Sequence, residues 1–115
     1  MTDKELLELA AKAAGYEKVQ YKYRDAGYHI PEECCVRHWN PLTDDGDALR
    51  LAMKLGLLVD VRYGGRPGNK LVRVTYWIDP LKGEAIDIIS DDQFAATRRA
   101  ITRAAAEIGK MKGEM

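Results

Sequence analysis

The stretch LLVDVRYGGRPGNKLVRVTYWI, residues 57–78, decides the fold, because it predicts two strands joined by a glycine-rich tip. Apolar and polar residues alternate on both sides of residues 64–69, which is the period of a strand with one buried face. The residues predicted to share the buried side are Val59, Val61, Tyr63, Val72, Val74, Tyr76 and Ile78. The pattern indicates a long antiparallel hairpin.

Three helices are predicted: one at the start of the chain, one before this hairpin and one after it. The first begins with the T-x-x-E capping box of Thr2 and Glu5, and Gly15 ends it. The second begins at Thr43 or Asp44 and ends at Gly56. The third follows an S-x-x-Q capping box at residues 90–93 and runs to Gly109 or Met111.

Apolar residues at helical spacing define the predicted buried face of each helix. In the first helix they are Leu6, Leu7, Leu9, Ala10, Ala13 and Ala14. In the second they are Ala48, Leu49, Leu51, Ala52 and Leu55. In the third they are Phe94, Ile101, Ala105 and Ile108.

The remaining strands are shorter. Residues 18–24 alternate, with Val19, Tyr21 and Tyr23 predicted inward, and a turn leads to a second strand over 28–30. Residues 31–43 have no period and predict a long loop. A turn over 79–83 precedes a final strand over 84–89.

The predicted order is α-β-β-α-β-β-β-α. We therefore expect an α/β (α+β) fold, an α-β-α layered sandwich of three helices and a four- or five-stranded, mostly antiparallel sheet. The 115 residues contain no linker or repeat, which predicts a single domain over 1–115.

Composition restricts the function classes. The 18 basic and 18 acidic side chains give a net charge of zero, so no nucleic-acid binding is expected, and self-association into a homo-oligomer is favoured. The sequence has no apolar run long enough to span a membrane and no signal peptide, so a cytoplasmic location is expected.

Three segments carry a resemblance to a known family. They are WNPLTDDGDALRLAMKLG at 39–56, AATRRAITRAAAEIG at 95–109 and LLELAAKAAG at 6–15. Together they resemble the phage ABA sandwich domain family of small phage and prophage proteins. The resemblance covers the three helices, a little over a third of the chain, and the strands between them match nothing.

This resemblance implies a phage or prophage accessory protein with an α-β-α layered fold, found in the host cytoplasm. Members of that family have no established activity, so no catalytic residue or cofactor is transferred. The leading hypothesis is a non-enzymatic protein that binds a host or phage protein. The alternatives are an oligomeric binder of a nucleotide signal, acting as an anti-defence sponge, and a metal-dependent hydrolase.

Two sets of residues are candidates for binding. Trp39 and Asn40 precede the second helix, where the indole either packs on the helix start or forms a pocket wall. Arg98 and Arg99 either lie on a solvated face or pair with phosphates in that pocket. The hairpin tip supplies candidate partner-binding residues at Gly65, Arg66 and Asn69.

Metal and nucleophile chemistry have weaker support. Asp44, Asp45 and Asp47 suit helix capping better than metal binding, since further oxygen ligands are missing. The adjacent Cys34 and Cys35 predict reduced thiols, because neighbouring cysteines bridge only with strain. A metal set or a nucleophilic pair that combines them with His29 or His38 is a minor alternative.

Overall fold

The structure, a computed structural model, describes residues 2–20, 27–33, 36–63, 70–78, 81–88 and 92–113. Within those residues it contains three helices and six strands. In chain order they are α1 (Asp3–Ala14), β1 (Glu17–Val19), β2 (Gly27–His29), β3 (Val36–Arg37), α2 (Asp45–Leu55), β4 (Leu58–Tyr63), β5 (Lys70–Ile78), β6 (Leu81–Ile88) and α3 (Gln93–Gly113). The predicted mixed α and β fold with three helices is confirmed.

The first two helices begin and end where local chemistry predicts. The Thr2 hydroxyl accepts the Glu5 N–H at 3.2 Å, and Asp44 Oδ1 accepts the Asp47 N–H at 2.9 Å. Gly15 and Gly56 end α1 and α2 with φ of 79° and 64°, a conformation that favours glycine. At α3, Asp92 Oδ1 accepts the N–H of Phe94 and Ala95, and the predicted cap Ser90 lies outside the described residues.

The strands form two three-stranded antiparallel sheets, in the orders β1-β2-β3 and β4-β5-β6. The prediction of one sheet with four or five strands is therefore wrong. Residues 36–37, predicted as loop, form β3 by pairing with β2. Residues 81–83, predicted as turn, belong to β6, since Leu81 pairs with Ile78 and Gly83 with Tyr76.

Helix α3 organises the main core. It packs on β5 and β6 with one side, and on α1 and α2 with others. Small residues let α1 and α3 approach closely: a Cβ added at Gly109 would lie 2.0 Å from the Leu9 carbonyl oxygen. Val72 and Val74 of β5, with Ala100 and Ala104 of α3, are fully buried where sheet and helix meet.

The layers differ from an α-β-α sandwich. The described helices lie on one side of the β4–β5–β6 sheet, so the layer order is sheet, α3, α1. The opposite side of that sheet carries Leu58, Trp77 and Ile86, each between 44% and 55% exposed. The sheet has a second face that no described element covers. No helix in the described residues is long and apolar enough to cross a membrane.

Candidate functional site

Trp39 lies in the core of the protein. Its side chain is 3% exposed, and its ring meets the rings of Tyr16 and Tyr28 edge-on at centroid distances of 5.3 and 5.2 Å. These three aromatic residues join the β1–β2–β3 sheet to the core. The described contacts of the indole are therefore structural, and Trp39 also lines two surface clefts.

Asn40 shapes the turn that leads into α2. Its side-chain oxygen accepts the Leu42 N–H at 2.9 Å, and its carbonyl accepts the N–H groups of Thr43 and Asp44. Its own N–H donates to Asp47 Oδ2 at 3.0 Å. Such a turn fixes the chain direction before a helix.

Arg98 and Arg99 point away from each other. Arg98 binds the α2 start, donating from Nε to the Leu42 carbonyl at 2.9 Å and pairing with Asp45 at 2.6 Å. Arg99 pairs with Asp3 of α1 at 3.1 Å. Trp39 and Asn40 line one cleft, Arg98 lines a second and Arg99 a third, so the structure does not bring the four together. The predicted partner residues Gly65, Arg66 and Asn69, and the pair Cys34 and Cys35, lie outside the described residues.

The acidic cluster of α2 includes a buried ion pair. Asp44 and Asp45 are exposed, but Asp47 is 3% exposed and accepts from Arg37 at 2.8 Å and Arg50 at 3.1 Å. Among the residues that the structure covers, no group of three His, Cys, Asp or Glu side chains is placed to hold a metal. The cluster therefore caps α2 and ties it to β3.

The protonation of this pair follows from its contacts. Burial alone would raise the pKa of the Asp47 carboxyl, but hydrogen bonds from Arg37, the Asn40 N–H and Arg50 outweigh burial and hold the pKa below its usual value. Hydrogen bonds to Glu33 and then to Asp47 raise the pKa of the Arg37 guanidinium. The sequence pattern identified the acidic cluster, but not the arginine from residues 31–43 that reaches it.

A charged cleft of 230 Å³ lies beside this ion pair. Tyr16, Ile30 and Trp39 form its apolar floor, and Arg37, Arg50 and Lys54 stand around it with Glu32 and Glu33. Lys54 pairs with Glu32 across the cleft, and its ammonium lies 4.6 Å from the centre of the Tyr16 ring. Burial, followed by the nearby Glu32 carboxylate, raises the pKa of Tyr16.

A larger apolar depression, which we name the α2–α3 groove, lies between α2, β4 and the first half of α3. It has a volume of 420 Å³. Its apolar lining residues are Ala48, Leu49, Ala52, Val59, Val61, Phe94 and Ile101. Leu49 and Phe94, predicted in the core, are each 60% exposed here, and Val61 is 40% exposed.

The helix starts place acidic charge beside this groove. Asp45 lines it, Asp44 precedes Asp45, and Asp92 precedes the lining residues Gln93 and Phe94. All three aspartates are exposed, and among the described lining residues Arg98 pairs with Asp45, which leaves Asp44 and Asp92 as the negative charges beside the groove. The groove therefore combines an apolar lining with a negative end.

No family model matches the chain, and no curated protein or solved structure matches it either. The resemblance of the three helices to the phage ABA sandwich domain family therefore stays a prediction.

Proposed function

We propose that this protein is a non-enzymatic phage or prophage accessory protein, and that its α2–α3 groove binds a segment of another protein in the host cytoplasm. The phage origin rests on the resemblance of the helices. The binding function rests on the groove, and the observation that carries it is the exposure of Leu49 and Phe94. Large apolar side chains clustered at the surface of a folded domain mark interaction sites.

The shape of the groove favours a helical partner segment. Two walls are helices, α2 and α3, and the exposed anchors Leu49 and Phe94 stand on different ones. An amphipathic helix presents apolar side chains every three to four residues and seats them in such a depression. The occupant we propose is therefore an amphipathic helix with one apolar face.

The charge beside the groove specifies the flanks of that helix. Among the described residues, Asp45 and Arg98 line the groove and pair with each other at 2.6 Å, and the exposed Asp44 and Asp92 stand beside it at the two helix starts. Positive residues on the partner would therefore be attracted and negative ones repelled, which affects association rate and specificity most. The partner segment is expected to be basic.

A fluorescent leucine–lysine helical peptide tests this proposal by polarisation, with a leucine–glutamate peptide of the same pattern beside it. We expect the basic peptide to bind and the acidic one not to bind. Leu49→Ser removes a groove anchor that is 60% exposed and should weaken binding at least tenfold. Leu81→Ser is the matched control, because Leu81 is 59% exposed and lies outside the groove.

The charge component has its own variants. Asp44→Asn and Asp92→Asn keep an oxygen for helix capping but remove the negative charge. Each should lower the affinity for the basic peptide a few-fold and reduce its salt dependence. Equal binding of the two peptides, no binding of either, or equal effects of the serine substitutions would contradict the proposal.

A small-ligand function is the second candidate, and the charged cleft favours it. Trp39 and Tyr16 line this cleft together with three cations, Arg37, Arg50 and Lys54, which are not the arginines of α3. Glu32 and Glu33 line it too, so an anion would compete with carboxylates that these cations already pair with. An aromatic anion such as a nucleotide would place its ring on the apolar floor and its phosphate near α2.

Thermal shift with adenosine monophosphate and with cyclic dinucleotides tests this alternative, since a ligand that binds the native state raises the melting temperature. We expect Arg50→Gln to abolish any shift. Unchanged melting at millimolar nucleotide would exclude the cleft as a nucleotide site.

A further inference from the structure

A cleft of 370 Å³ lies between α1, strands β1 and β2, and the segment that leads from β3 to α2. It is separate from the α2–α3 groove, and we name it the α1–β1 cleft. Its polar lining residues are Lys4, Glu8, Lys18, Tyr28, His38 and Asn40. Five of these six side chains can donate hydrogen bonds, and Glu8 is the acidic one among the described lining residues. The cleft therefore suits a ligand that accepts hydrogen bonds and carries negative charge.

We propose that the α1–β1 cleft binds a small phosphate monoester by its phosphate group. Lys4 of α1 and Lys18 of β1 bring two ammonium groups to the cleft, and lysine binds phosphate as a point charge. Among the described residues Lys4 forms no ion pair, and Lys18 pairs with Glu8 at 3.3 Å. Both members of that pair are more than a third exposed, so water weakens it and a dianion can compete for Lys18. Two lysines and one glutamate leave the cleft with a positive charge.

The hydroxyl of Tyr28 is the observation that points to a ligand. Tyr28 lines the cleft and is 7% exposed, yet its hydroxyl has no hydrogen-bond partner among the residues that the structure covers. Polar groups of buried side chains normally have one. Lys18 pairs with Tyr28 in the β1–β2 register, so both side chains lie on one face of the small sheet. Burial raises the pKa of Tyr28, and the charges of Lys18 and Glu8 also act on it, so this donor lies close to the lysine.

The segment after β3 supplies further donors, and apolar side chains complete the lining. His38 is exposed, and Asn40 uses its side-chain oxygen for the Leu42 N–H at 2.9 Å, which leaves its amide nitrogen to donate. Leu7 and Trp39 line the same cleft and offer apolar contact to the organic part of the ester. A volume of 370 Å³ lies within the range of small-molecule sites. The size therefore favours a small ester as the ligand.

An NMR titration of the protein with phenyl phosphate in about 150 mM sodium chloride tests the proposal. We expect amide shifts to change at Lys4, Lys18, Tyr28 and His38, with a dissociation constant on the order of 1 mM, because an open cleft leaves its charges screened by water and salt. The salt suppresses binding that depends only on the overall charge of the surface.

Single-atom and single-charge variants make this test specific. Tyr28→Phe removes only the hydroxyl and keeps the ring that packs against Trp39, and Lys4→Gln removes one ammonium group. Each should raise the dissociation constant at least fivefold. Lys12→Gln is the matched control, because Lys12 is also an exposed lysine of α1 but lies outside the cleft, and it should change the constant less than twofold. Far-UV circular dichroism checks that each variant folds.

Benzoate tests the class of ligand, because it keeps the ring but carries one negative charge on a planar group, and it should bind at least fivefold more weakly than phenyl phosphate. Four outcomes would overturn the proposal: no shift changes with phenyl phosphate, equal binding of benzoate, binding insensitive to folded Tyr28→Phe and Lys4→Gln, and a phosphotyrosine peptide that binds at least tenfold more tightly, which would indicate a phosphoprotein. Leu49→Ser and Arg50→Gln alter the groove and the charged cleft and should leave binding unchanged, so failure of those proposals is distinguishable from failure of this one.

Discussion

Replacing Asp47 by asparagine should destabilise the protein more than any other single charge removal on α2. The substitution keeps the size of the side chain and one oxygen for the Asn40 N–H, which donates at 3.0 Å. It removes the negative charge that Arg37 and Arg50 contact at 2.8 and 3.1 Å. Asp47 is 3% exposed, so water cannot replace these contacts at the carboxylate.

The magnitude follows from those contacts. Breaking a fully buried ion pair costs about 3–5 kcal/mol, and a charged hydrogen bond about 1.5–3 kcal/mol. The side chains of Arg37 and Arg50 are 31% and 56% exposed, so water can hydrate both guanidinium groups in the variant and the destabilisation is smaller than for a fully buried pair. We expect Asp47→Asn to lower the free energy of unfolding by about 2–3 kcal/mol.

The pH dependence carries a second signature of the same contact. The folded-state pKa of Asp47 lies below its unfolded value, so its contribution is complete above the unfolded pKa and is lost as pH falls through the folded pKa. Wild-type protein should therefore lose stability below about pH 4, and Asp47→Asn should lose less over the same range.

Urea unfolding followed by circular dichroism at pH 7 and pH 3.5 measures both effects. Glu8→Gln is the control, because Glu8 pairs with Lys18 at 3.3 Å and both side chains are more than a third exposed. This substitution should lower the free energy of unfolding by no more than about 1 kcal/mol. If Asp47→Asn costs no more than Glu8→Gln, the ion pair does not stabilise the link between β3 and α2, and the reasoning fails.

Two further predictions concern the helix contact and the buried tyrosines. Gly109→Ala should lower the free energy of unfolding by more than about 2 kcal/mol, because the added Cβ would lie 2.0 Å from the Leu9 carbonyl oxygen. Gly15→Ala, at φ 79° with open space around it, should lower it by only about 1–2 kcal/mol. Equal losses for the two variants in urea unfolding would contradict the close approach of α1 and α3. Burial raises the pKa of Tyr16 and Tyr28, so their contribution to stability is complete below the unfolded pKa and falls as pH rises through the folded pKa. Thermal melts should therefore show stability declining above about pH 10, and a flat profile to pH 11.5 would show that both rings ionise freely.

The helices and the long hairpin could be predicted from the sequence because their signals are local. Capping by Thr2 and Asp44, and left-handed glycines at 15 and 56, depend on neighbours within a few residues. The two-residue strand β3 could not be predicted, because residues 36–37 have no period and become a strand by pairing with β2.

The candidate sites were less predictable because they depend on tertiary packing. Helical spacing predicted Leu49 and Phe94 in the core, but each is 60% exposed. Periodicity shows which face of a helix is apolar, but not how much of that face the neighbouring elements cover. The sequence left open whether Trp39 packs at the start of the second helix or forms a pocket with Arg98. In the structure the indole packs between tyrosines, whereas Arg98 binds the start of α2. The burial of Asp47 could not be predicted, because it depends on a tertiary contact with Arg37 of β3.

The contact between α1 and α3 has a consequence for the order of folding. Helix α1 is synthesised before its main partner α3, which follows after all six described strands. The same α3 also covers β5 and β6, so a nascent chain without it would expose the alanine face of α1 and the valine face of the sheet together. The main core is therefore expected to form in one cooperative step after α3 is synthesised, and the chain that lacks α3 is expected to be prone to aggregation.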